Sequence, residues 1–320
     1  MNSQTRSAVV LAAMAFALSS TAWAQDKVVT APPGALMPSG KAYQPKKLPD
    51  GQPDMQGSYT GPDTSRNLDK KAPTYGGGEN QIGGNVPAYD SVWTADRVAQ
   101  QKADAEGSSR GQLPGPKIVD PEDQTIPYKP EFGEKKVEVF TRYMTGPKGD
   151  VTMIDPMVRC HAQGPPRSNM MLQYNGYQIV QPPGHVIILS ETNHIYRIIP
   201  LDNSPHLTKK IGLYRGDSRG RWLGNTLIVD TTNRVDGGWL DMSGAFHSDA
   251  LHVVERYTLV GPNRIEYEAT IEDPKVYLRP WRLASFFDRA PDDYEIYEFA
   301  CVEGNKAVEN LMAEPDTESK

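Results

Sequence analysis

Residues 220–230 read GRWLGNTLIVD. Gly224-Asn225 separates two short runs, and a Gly-first two-residue loop suits a type II′ turn, whose twist matches that of paired antiparallel strands. Pairing Arg221 opposite Ile228 puts Arg221, Ile228 and Asp230 on one face, with Trp222, Leu227 and Val229 on the other. The stretch predicts a hairpin that is apolar on one side.

The same pattern extends outward. Residues 184–190 (GHVIILS) and 194–199 (HIYRII) predict a second hairpin, turning at Thr192-Asn193 and opposing Glu191 to His194. Residues 251–260 and 264–273, joined by Gly261-Pro262-Asn263, predict a third. The alternation opens at 137–140 (VEVF) and ends in a last strand at 294–301, before a short helix at 305–312. The segment 216–220 reads as a turn. Strands joined by turns, without interleaved helices, predict a mainly β fold: an antiparallel, lipocalin-like barrel or a sandwich.

Composition divides the chain. Residues 25–134 hold 14 of the 27 prolines and 14 of the 28 glycines, which prevents long ladders and long helices there. This predicts a Pro/Gly-rich extended arm over 25–134, with one short helix at 94–106 capped by Thr94, and a β-barrel-like domain over 135–320. Disorder is the rival reading of the arm, and Tyr59, Tyr75, Tyr89 and Trp93 favour docking. The first 24 residues read as a signal peptide: Arg6, an apolar core at 8–18, and Ala22-Trp23-Ala24 before Gln25. The expected location is periplasmic or secreted, with no membrane span left after cleavage. Removing Arg6 with the leader would take the net charge from -6 to -7. That balance disfavours a nucleic-acid partner, because phosphate neutralisation needs surplus Lys and Arg. The mean hydropathy of -0.56 excludes a multi-span helical membrane protein.

Export bears on the two cysteines. In an oxidising compartment Cys160 and Cys301 are expected to pair, closing a long loop worth about 4–5 kcal/mol in the chain-entropy view. The rival is a thiol nucleophile at Cys160, flanked by Arg159 and His161.

Strand phase singles out further residues. In 251–260, Leu251, Val253, Tyr257 and Leu259 share a face on which Glu255 also falls, while His252, Arg256 and Thr258 point away. An inward carboxylate needs a partner. The structural reading is an ion pair with Arg221 or Arg159. The functional reading is a polar cluster at the floor of a cavity, with Glu255, Glu191, His194, His247 and Asp230 as catalytic candidates. Metal spacing is absent, although His194, His206 and His247 could form a site if the fold gathered them. No P-loop, GxSxG or GxGxxG after a strand is present, and neither metal nor cofactor is expected. Trp239, Phe246, Trp281, Phe286 and Phe287 could line a mouth for a flat ligand or fill the core.

Several segments carry a resemblance: DPMVRC (155–160) with GPPR (164–167), GDSRGRWLGNTLIVDTT (216–232), HSDALHVVERY (247–257), IEDP (271–274) with Pro280-Trp281, and CVEGN (301–305). Together with PDMQG (53–57), they resemble a large group of exported bacterial hypothetical proteins. The resemblance implies a shared fold and an exported location, and transfers no activity. Where that group often has an acidic pair around its Trp-x-Gly-Asp turn, this chain has Leu223 and Asn225, which weakens a catalytic role for the turn.

The residues together predict a cofactor-independent lyase, isomerase or hydrolase acting on a small organic or carbohydrate-derived molecule. Glu255 or Glu191 would be the base and His194 or His247 the acid. Arg159 or Arg256 would stabilise an anion, with Trp239 and Trp281 binding substrate. A non-catalytic small-ligand-binding barrel and an envelope interaction protein are the alternatives.

Overall fold

The structure, a computed structural model, describes residues 43–61, 68–69, 117–145, 151–161, 163–170, 176–241 and 243–313. The expected leader, its cleavage site and the expected helix at 94–106 lie outside the described residues.

Ten antiparallel strands form one sheet among the described residues: β1 (Gly57–Thr60), β2 (Lys117–Asp120), β3 (Gly176–Val180), β4 (His185–Ser190), β5 (Ile195–Pro200), β6 (Asp217–Leu223), β7 (Thr226–Thr232), β8 (His252–Gly261), β9 (Arg264–Glu272) and β10 (Trp281–Arg289). Their order is β5-β4-β3-β1-β10-β9-β8-β7-β6, with β2 added against β10, and the nine-strand path is a nearly closed barrel. Its two ends approach through Gly220 of β6. A Cβ there would lie 2.6 Å from Ile199 Cγ2 and 2.7 Å from Leu201 Cδ2, so a side chain would push β5 away.

The three expected hairpins form. Leu223 pairs with Thr226 across Gly224-Asn225, and Gly224 has the positive φ of +58° that its turn position requires. Ser190 pairs with Ile195 across the single 3-10 turn Thr192–His194, in which Asn193 is left-handed. β8 and β9 pair in register from His252↔Glu272 to Leu259↔Ile265, ending in a bulge before Gly261. Alternation then decides the core. Leu251, Val253, Tyr257 and Leu259 face inward against Ile265, Tyr267, Ala269 and Ile271, all buried. Each such aliphatic side chain contributes about 1.5–3 kcal/mol by leaving water.

Four local expectations differ. Residues 137–140 do not open a strand; they lie in helix α1 (Pro130–Thr145). Pro130 at its first position and Glu131 in its first turn suit a helix N-terminus, and Phe132, Lys136 and Val139 recur at helical spacing toward the core. Residues 217–220 belong to β6 rather than to a turn; only Gly216, at φ +77°, is turn-like. Residues 294–301 join no strand, and the last strand is β10, in which Trp281, Leu283 and Phe287 are buried core. Within the Pro/Gly-rich stretch, β1 is an interior strand between β3 and β10, and β2 pairs along β10. The short C-terminal helix forms as α2 (Ala307–Met312). Among the described residues no helix is long and apolar enough to cross a membrane.

Candidate functional site

Glu255 points into the barrel, as its phase in β8 requires, and is fully buried. Its partner is Arg197 rather than Arg221 or Arg159. Arg197 alternates inward on β5 between Ile195 and Ile199. Its Nη2 lies 2.5 Å from Glu255 Oε2 and its Nη1 3.0 Å from Oε1. Oε1 also accepts from Asn169 Nδ2 and from the Tyr257 hydroxyl, both at 2.8 Å, and from the Tyr267 hydroxyl at 3.0 Å. Arg197 Nη2 further donates to Ser218 Oγ and Thr231 Oγ1. Burial and the Glu255 charge push both tyrosines well above their ordinary value. Burial penalises the Arg197 charge, but Glu255 and the tyrosine oxygens outweigh it and hold the guanidinium cationic. Oε1 is filled by four donors and Oε2 is held by Arg197 Nη2, so the carboxylate is engaged by the barrel's own side chains.

Asn169 reaches this cluster from a segment, 151–170, that enters the barrel. Its residues 163–170 are all buried. Asp155 and Arg167 pair within it at 2.8 Å, both fully buried. The expected disulfide Cys160–Cys301 ties it to the C-terminal segment, with Cα atoms 5.6 Å apart, so Cys160 is not a free thiol. Asn305 Nδ2 adds a bond to the Val158 carbonyl at 3.0 Å.

Where this segment meets the start of β6 and the end of β7 lies an open cleft of about 100 Å³. Arg159, His161, Gln163, Tyr214, Arg234 and Asp236 line it with Gly237 and Gly238. Its two flanks are joined: Leu213 and Arg234 bridge in parallel, and Leu213 N–H donates to the Asn233 carbonyl at 2.8 Å. His161 and Tyr214 meet edge to face at 3.9 Å. Burial and the nearby Arg159 lower the His161 pKa, so its ring is neutral at pH 7.

Arg234, only 4 % exposed, is the unusual group. Its Nη1 donates to the Pro165 carbonyl at 2.9 Å and its Nη2 to His247 Nε2 at 3.3 Å. Among the described residues no carboxylate pairs with it. Burial and repulsion from Arg197, only partly offset by Glu255, pull it down to about 10. His247 Nδ1 donates to the Ser248 carbonyl at 2.9 Å, leaving Nε2 as acceptor, and burial and Arg234 push the ring down to about 3. Side chains at Gly164 and Gly238 would collide with Arg234 Nη1 and His247 Nε2 respectively. The absence of those side chains makes room for the guanidinium.

The candidate residues are dispersed. Glu255 and His247 lie inside, Arg159 lines the cleft, and Arg256 is on the outer face of β8 opposite Ile228 and Glu268. Glu191 is buried and accepts the Tyr294 hydroxyl at 2.9 Å, whereas exposed His194 accepts the Phe299 N–H at 3.3 Å. Trp239 and Trp281 are buried in the core. Asp230 sits outside, bonded to His206 Nε2 at 2.8 Å and His252 Nε2 at 2.9 Å, while His206 Nδ1 reaches Asp217 at 3.0 Å. His194, His206 and His247 therefore occupy three separate places. Among the described residues no group of three or more His, Cys, Asp or Glu is arranged to hold a metal ion.

Compared with known proteins, the chain matches no family model and no curated protein.

Proposed function

We propose that the chain is an exported, non-catalytic barrel that binds a small organic molecule in the cleft beside Arg234. The observation that carries this reading is the contrast between a sealed polar interior and an open, polar cleft. Glu255 is engaged through both oxygens by four side chains of the barrel, and the acid–base candidates do not converge. The cleft combines donors and acceptors on a backbone fixed by the disulfide and the 213–234 bridge, the arrangement expected of a pre-formed ligand site.

Acid–base catalysis on the same molecule is the second reading, and one observation favours it: a neutral imidazole, His161, lines the cleft next to Arg159. Native mass spectrometry of the mature, disulfide-intact protein with a panel of small acids, amides, amines and sugars tests both. A one-to-one adduct that leaves the compound unchanged supports binding. Conversion that is lost in His161→Gln replaces it with catalysis, and a panel giving neither adduct nor conversion overturns both.

A further inference from the structure

We propose that the outer face of β3, β4 and β5, with the connection from β5 to β6 beside it, docks on an anionic phospholipid surface. The inference is independent of the cleft reading. Strand pairing sets the outward side chains in two rows: Val180, Ile187 and Ile198, then Gln178, Leu189 and Tyr196. All but Gln178 are aliphatic or aromatic, and Ile198 is 53 % and Tyr196 51 % exposed. No Asp, Glu, Lys or Arg points outward on these three strands, because Arg197 turns inward to Glu255. Elsewhere the barrel has ordinary solvated faces: β8 and β9 point Arg256, Glu266, Glu268 and Glu272 outward. A contiguous apolar face left to water is costly and marks a contact surface.

Charge chooses the partner. Residues 207–212 of the β5–β6 connection are all exposed, and they carry Lys209 and Lys210 between Leu207 and Ile211. Arg215 reaches back over the Tyr196 ring, its guanidinium carbon 4.2 Å from the ring centre, so the connection borders the apolar face. Among the described residues none of these three cations has an ion pair. Asp202 is the one acid in the connection. An exposed cationic border in a chain of net charge -6 is complementary to an anionic surface.

Two other occupants fit less well. A second copy would bring its own cations into the same interface. A protein partner would meet lysines, which protein interfaces disfavour. A lipid headgroup layer suits the whole set. Ile, Leu and Tyr enter the boundary with the acyl chains, while the lysine stems lie along it and set their ammonium groups among the phosphates. Docking of this kind lies on the membrane and does not cross it.

Vesicles of phosphatidylglycerol and phosphatidylcholine in equal parts, and of phosphatidylcholine alone, are the probes, mixed with the mature, disulfide-intact protein. Co-sedimentation should show saturable binding to the first that falls with added salt, and binding at least tenfold weaker to the second. Ile198→Glu should abolish binding with little change in Tm, because the side chain points outward. Should that variant fail to fold, Lys209→Gln combined with Lys210→Gln, in the exposed connection, should weaken binding about tenfold. No binding to the anionic vesicles would overturn the proposal. Binding that Ile198→Glu and the lysine pair leave unchanged would remove this face from it, and equal binding to both vesicles would remove the anionic lipid. A concentration-dependent dimer in sedimentation velocity that Ile198→Glu dissolves would give the face to a second copy instead.

Discussion

Arg197 and Arg234 are similarly buried, yet their surroundings differ in kind. Around Arg197 three strands supply complementary groups: Glu255 and Tyr257 from β8, Ser218 from β6 and Thr231 from β7. Around Arg234 the chain removes side chains at Gly164 and Gly238 and holds the neighbouring imidazole neutral. The first region is complete within the protein. The second has a charge left over beside an open cleft. The difference teaches that a buried charge marks a functional site only when its partner is absent, because a saturated pair is explained by folding alone.

The largest effect should come from breaking the complete region. Glu255→Gln leaves Arg197 buried without its counter-charge, and urea unfolding should show a loss of about 3–5 kcal/mol. A variant as stable as the parent would make the interior pair dispensable and erase the contrast. Removing the Cys160–Cys301 bond by the double Ser substitution should cost about 2–4 kcal/mol. It should also weaken ligand binding, because the bond anchors the segment that carries Arg159 and His161. Lost stability with unchanged affinity would show that the cleft does not depend on that anchor.

A smaller effect concerns the outer surface, where pH becomes a lever. Hydrogen bonding to Asp230, opposed by burial and reinforced by Asp217, raises the His206 pKa. The same Asp230 bond, opposed by burial and aided by Glu272, raises that of His252. Burial alone would raise the Asp230 pKa, but the two imidazole bonds hold it well below the carboxylate range. Arg219 also faces this group through Asp217, Nη1 to Oδ1 at 2.6 Å. The imidazolium contribution is therefore complete below the ordinary histidine value and fades as pH rises through the elevated ones. The Asp230 contribution is complete above the ordinary carboxylate value and fades only in strong acid. His206→Gln should cost about 1–2 kcal/mol at pH 6 and less at pH 9, measured by urea unfolding at both. A cost equal at both pH values would remove the charge from the account.

Much of the fold is legible in the sequence because it is local. The Gly224-Asn225 turn and the alternation in β8 fix their pairing and send Glu255 inward without reference to anything distant. The inward phase of Arg197 is equally local, since Ile195, Arg197 and Ile199 share it, but its pairing with Glu255 is not, because β5 and β8 are brought together only by the curvature of the whole sheet. Residues 137–140 misled because four residues cannot separate period two from period 3.6; the longer spacing of Phe132, Lys136 and Val139 decides for helix. The cleft is the least legible part. Gly164 and Gly238 matter for what they approach in three dimensions, and His206, Asp217, Asp230 and His252 meet only after β6, β7 and β8 pair. No local pattern encodes either arrangement.

The central contrast is tested most directly by the unfolding free energies of Arg197→Met and Arg234→Met, measured side by side without ligand. The account predicts that Arg197→Met loses about 3–5 kcal/mol, because Glu255 is stranded. Arg234→Met should change stability by less than about 1 kcal/mol or raise it, because an uncompensated buried cation is removed. Equal, large losses for the two variants would show that Arg234 is as structural as Arg197, and would contradict the assignment of a ligand-binding charge to the cleft.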